Sequence, residues 1–76
     1  MELLFRLKTE QALNAYELQL KGCNVSYYTN DNTIIVQHVN SIIYDITDVY
    51  TVFTKLGNPF EICNNDVVAL EIKEGD

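Results

Sequence analysis

His38 is the only histidine in the chain. With Cys23, Cys63 and Asp45 it forms the short set from which a nucleophile and a general base could be drawn. Catalytic residues concentrate on loops held by a rigid scaffold. His38 falls instead in the apolar run Thr33–Val39 with no glycine turn beside it, so it reads as a strand histidine half buried in a sheet. Metal chemistry lacks its ligands too. Asp45 and Asp48 lie close together and Asn30-Asp31-Asn32 is rich in oxygen, but neither has the alternating ligands, glycine and distal glutamate of a calcium loop. Two separated cysteines and one histidine leave a zinc ion short of four ligands. Gly22, Gly57 and Gly75 are isolated, so no phosphate-cradling loop is expected. The expectation is a non-enzyme with no catalytic residue, metal or cofactor.

Tyrosines are the more telling residues. Tyr27, Tyr28, Tyr44 and Tyr50 fall in one half of the chain, close in sequence to Asp31, Asp45 and Asp48. A tyrosine brings a large rigid face and a hydroxyl to a contact at low entropic cost, and interfaces are enriched in it. These seven residues are therefore the expected partner-binding set. Their setting fixes the sign of the partner's charge. The chain carries 5 Lys and Arg against 11 Asp and Glu, a net charge of −6. Residues 1–21 sum to zero, whereas 22–54 contain three aspartates and no Lys or Arg, and 55–76 carry the remaining acidic excess. Such a surface repels phosphate backbones, which excludes direct nucleic-acid binding, and attracts basic proteins.

At 76 residues the chain is one domain, 1–76, with 47% apolar residues, an ordinary globular share. A domain this small buries only roughly 60% of its unfolded surface, so a second copy, as a homodimer, would add burial the monomer lacks. No apolar run approaches the ~20 residues of a membrane span. No signal-like start is visible. Cys23 and Cys63 read as buried free thiols, and the compartment as cytoplasmic.

The elements that must position these residues follow from periodicity. Leu3, Phe5 and Leu7 alternate with Glu2, Arg6 and Lys8, a one-faced strand. Thr9 can cap a helix over Glu10–Lys21, with Leu13, Tyr16 and Leu20 on its apolar stripe and Gly22 closing it. Asn24–Thr29 reads as a strand and Asn30-Asp31-Asn32 as a turn. Thr33–Val39 and Ile42–Ile46 read as two adjacent central strands joined by a turn at Asn40-Ser41, with apolar residues on both faces. Val49, Val52, Phe53 and Leu56 have helical spacing, so a second helix is expected from Thr47 or Asp48 to Gly57 and Pro59. Phe60–Cys63 and Val67–Lys73 read as strands about a turn at Asn64-Asn65-Asp66, with Val68, Leu70 and Ile72 inward. Glu74-Gly75-Asp76 reads as a frayed acidic end.

The fold class is then α+β: a small antiparallel-dominated sheet of four to six strands with two helices, in the order β-α-β-β-β-α-β, like a split βαβ. That order is similar to RNA-recognition-motif domains, but those present aromatics and basic neighbours on their central strands. Thr33–Val39 offers aliphatics and no Lys or Arg. The functional expectation is a small acidic protein-binding module. Its richness in Asn, Ile, Tyr and Asp points to an AT-rich coding source, such as a phage of a low-GC bacterium. In its sharpest form the module is a phage or prophage inhibitor occupying a basic nucleic-acid-binding site on a host protein such as a defence nuclease. The alternative is a dimeric small-molecule-binding regulatory domain.

Overall fold

The alternation at the N-terminus builds the first strand of the computed structural model, β1 (Glu2–Leu7), with Leu3, Phe5 and Leu7 fully buried. The structure describes residues 1–74. Gly75 and Asp76, part of the expected acidic end, lie outside the described residues. Thr9 then caps α1 (Glu10–Gly22): its extended backbone turns the chain, and its hydroxyl accepts a 3.0 Å hydrogen bond from the Ala12 amide. Tyr16 and Leu20 are the buried residues of the helix, and Leu13 packs beside them.

Four strands follow the helix: β2 (Tyr27–Asn30), β3 (Thr33–Val36), β4 (Val39–Tyr44) and β5 (Val49–Thr54). β6 (Phe60–Cys63), a 3-10 turn at Asn64–Asp66 and β7 (Val67–Lys73) complete the order. The strands form two antiparallel sheets, ordered β2-β3-β1-β7 and β4-β5-β6. β1 and β2 each run antiparallel to β3, which lies between them, so they are parallel to one another. The first half of the chain is thus a split βαβ unit, and the second half adds a three-stranded meander and a return strand.

The register puts Leu3, Phe5, Ile34 and Val36 on one face of the larger sheet. They join Tyr16 and Leu20 of the helix and Val39, Val52, Phe60 and Ile62 of the smaller sheet in one core. Burying each such side chain stabilises the fold by roughly 1.5–3 kcal/mol before conformational entropy is set against it. The opposite face carries a row of Leu4, Ile35 and Tyr28 across three strands. There Ile35 is buried outside the core, and Tyr28 is half exposed.

Several expectations are corrected. Among the described residues, one helix and seven strands replace two helices and four to six strands, and two sheets replace one. The expected second helix is β5. Val49, Tyr50, Thr51, Val52, Phe53 and Thr54 are all β-branched or aromatic, and that preference overrides a helical spacing. Its stripe does not hold together: Val52 is buried and Leu56 is 85% exposed. Asp48, the candidate cap, adopts φ 62° and turns the chain.

Thr33–Ile46 is not a hairpin at the middle of one sheet. β3 and β4 belong to different sheets, and the chain breaks at Gln37-His38 rather than at Asn40-Ser41. His38 takes φ 59° at this corner and is exposed, not half buried in a strand. Asn40 and Ser41 lie within β4, where the register shifts between Val39 and Ser41, a bulge. In β7 a second irregularity pairs Leu7 with Val67 and Arg6 with Ala69. Val68 is left as the extra residue and faces solvent, and Ile72, opposite Leu3 near the strand's end, is 46% exposed. Cys63 is exposed and Cys23 half buried, both as free thiols.

Candidate functional site

The β4–β5 hairpin brings four of the seven expected binding residues together: Tyr44, Asp45, Asp48 and Tyr50. Tyr44 and Tyr50 are directly opposite across the hairpin, with ring centroids 4.6 Å apart and planes tilted by 43°. The Tyr44 hydroxyl donates to Asp48 Oδ1 at 2.5 Å. That bond, more than any other influence, pushes the Tyr44 phenol up to about 12, because losing the proton would set two negative charges side by side.

Asp45 organises the turn itself. Its Oδ1 accepts from the Thr47 hydroxyl and, at 2.8 Å, from the Thr47 amide, and the Thr47 hydroxyl leads in holding the carboxyl below its ordinary range. The Asp48 amide donates to the Asp45 carbonyl at 3.2 Å, and the Asp48 carbonyl accepts from the Asn64 amide at 2.9 Å, which ties the turn to the end of β6. Asp48 tolerates its left-handed backbone because a short polar side chain does so more readily than most. At the tip stands Ile46, fully exposed, with Ile43 55% and Tyr44 51% exposed behind it. The hairpin is therefore an apolar and aromatic ridge edged by Asp45 and Asp48.

Tyr27, Tyr28 and Asp31 lie on the other sheet, in the β2–β3 hairpin, so the seven residues are two groups rather than one. Tyr27 packs against the core and donates to Glu17 Oε1 at 3.3 Å, a structural position; burial foremost, aided by Glu17, raises its pKa. Asp31 sits in the turn at φ 56°. Tyr28 alone of the three presents a half-exposed ring.

Sequence reasoning missed the polar centre between α1 and β6. The Tyr16 hydroxyl accepts from the Cys63 amide at 2.9 Å and donates to Asp66 Oδ2 at 2.8 Å. Beside it the Gln19 side chain donates to the Glu61 carbonyl at 3.2 Å and accepts from the Glu61 amide at 3.3 Å. An open groove of about 520 Å³ runs over these groups, lined also by Thr9, Gln11, Ala12 and Ala15. Tyr16 and Asp66 are 50 positions apart, and no spacing rule joins them.

His38 lines a smaller hollow of about 230 Å³ with Asn24, Ser26, Gln37, Thr54, Leu56 and Gly57. No thiol or carboxylate is in that lining to act with it. Among the described residues, no three His, Cys, Asp or Glu side chains cluster so as to hold a metal ion, and no helix is long and apolar enough to cross a membrane. No protein-family model matches the chain, and no curated protein or solved structure matches it.

Proposed function

We propose that this chain is a non-enzymatic protein-binding module whose contact surface is the β4–β5 hairpin and whose partner is basic. One observation carries the reading: the fully exposed Ile46 stands between Asp45 and Asp48, next to the half-exposed Tyr44, in a stretch, 22–54, that has no Lys or Arg. Exposed apolar and aromatic side chains supply the contact energy, and the carboxylates select a positive surface. In its sharpest form the partner surface is a nucleic-acid-binding site, and the module, of phage or prophage origin, covers it on a host defence nuclease.

The test mixes the purified chain with basic nucleic-acid-binding proteins and neutral controls at low and high salt. Binding confined to the basic set, weakened by salt, displaced by added DNA and lost in Asp45→Asn/Asp48→Asn supports the reading. Equal binding by that double variant, or salt-insensitive binding, overturns it. A second reading, a dimeric small-molecule-binding regulatory domain, draws on the groove over Tyr16 and Asp66. It requires a stable dimer and a metabolite that raises the melting temperature.

A further inference from the structure

The two sheets end in four outer strands: β2, β7, β4 and β6. An outer strand offers unpaired backbone groups to any extended chain, and native proteins guard such edges. β6 is guarded by the helix: Gln19 takes both backbone groups of Glu61, and Tyr16 takes the amide of Cys63. β7 carries Glu71 and Lys73 and a bulge opposite β1. β2 has four residues and ends at the Asp31 turn.

β4 is guarded differently and less. Met1 closes its first residue, with the Val39 amide donating to the Met1 carbonyl at 2.8 Å and the Val39 carbonyl accepting from the Met1 amine at 3.3 Å. Its one irregularity, between Val39 and Ser41, lies at that same end. From Ser41 to Tyr44 the strand is regular, uncharged and without proline, and Ile43 and Tyr44 are half exposed.

We infer that β4 is a docking edge that takes an extended, basic segment of the partner as an added strand along Ser41–Tyr44. Backbone pairing of this kind gives affinity, and alternate side chains give specificity. The register sets Ile42 and Tyr44 on one face of the sheet and Ile43 on the other, so the incoming segment needs apolar residues at alternate positions. Charge complementarity selects what lies between them. Asp45 and Asp48 follow the edge, and 22–54 offers no cation to answer them. Lysine or arginine in the added strand does, whereas a second copy of this chain would set one body of charge −6 against another. This inference rests on the reading of the chain as a binder of basic proteins.

The probe is a short synthetic peptide of alternating Val and Lys, with two controls: its Val/Glu counterpart, and a Val/Lys version N-methylated on the amides that would face β4. Amide NMR of the whole chain reads the site. The expected result is that Val/Lys shifts the amides of Ser41–Tyr44, that Val/Glu does not, and that N-methylation weakens binding by about tenfold or more. Shifts confined to other elements, or equal binding of the N-methylated peptide, overturn the inference. Dilution-dependent shifts at Ser41–Tyr44 without peptide also overturn it, and assign the edge to a second copy. If basic proteins bind in a salt-dependent way while these amides stay silent, only the inference falls. If neither peptide nor basic protein binds, the functional reading falls with it.

Discussion

Tyr16 joins three parts of the chain through one hydroxyl, so its loss should be felt well beyond the helix. Tyr16→Phe leaves the Cys63 amide and the Asp66 carboxylate without that partner and should cost about 1–3 kcal/mol, read by urea unfolding. Burial chiefly, with Asp66 adding to it, raises the Tyr16 pKa well above its ordinary value of 10.0. A raised folded-state pKa gives stability that is whole below the unfolded value and is lost as pH climbs through the folded one. Stability should therefore fall above about pH 10, and Tyr16→Phe should flatten part of that fall. At Asp45 the sign reverses. Its depressed carboxyl contributes above the ordinary range and stops contributing as pH falls through the folded value. Thr47→Val removes the leading cause, and carboxyl-carbon NMR should show the Asp45 titration moving up toward ordinary carboxylates. The Asp45–Thr47 turn follows from a local rule, since aspartate commonly bonds the backbone two residues on. Tyr16–Asp66 follows from none.

At the scale of elements, the loop from β5 to β6 is held against the end of the helix. A Cβ on Gly57 would meet the Cys23 carbonyl oxygen and Val25 Cγ2 at 2.8 Å and the Asn24 carbonyl oxygen at 2.9 Å, two of them rigid backbone atoms. Gly57→Ala should cost about 1–3 kcal/mol by thermal or denaturant unfolding. Gly57 thus permits a close approach, where its position had read as the end of a helix. The Gln19 amide occupies the β6 edge in the place of a strand. Gln19→Leu keeps the bulk, removes both hydrogen bonds, and should cost about 1 kcal/mol while making self-association rise with concentration in sedimentation. β1 and α1 were legible because period and cap agreed: Leu3, Phe5 and Leu7 alternate, and Thr9 precedes Tyr16 and Leu20. At Val49–Thr54 the period suggested a helix and residue preference a strand. A place beside β4 and β6 settled it, because pairing on both sides rewards the β-branched side chains.

Across the whole molecule the governing quantity is charge. A body of net charge −6 repels itself when folded, and salt screens that repulsion, the screening length falling from about 10 Å at 0.1 M to about 3 Å at 1 M. The unfolding midpoint should rise with sodium chloride, while binding to any basic partner should weaken over the same range. A midpoint and a binding strength both indifferent to salt would mean that the acidic surface serves neither role. Composition by itself determined this charge, and local pattern the α+β class and the turns at 30–32 and 64–66, since these depend on residue types and on contacts between near neighbours. Only the tertiary structure decided that the strands divide into two sheets, that His38 stands exposed at a corner, and that the seven candidate residues separate into two hairpins. Those outcomes depend on which strand edges meet across tens of residues, and a single strand's pattern is the same whichever neighbour it finds.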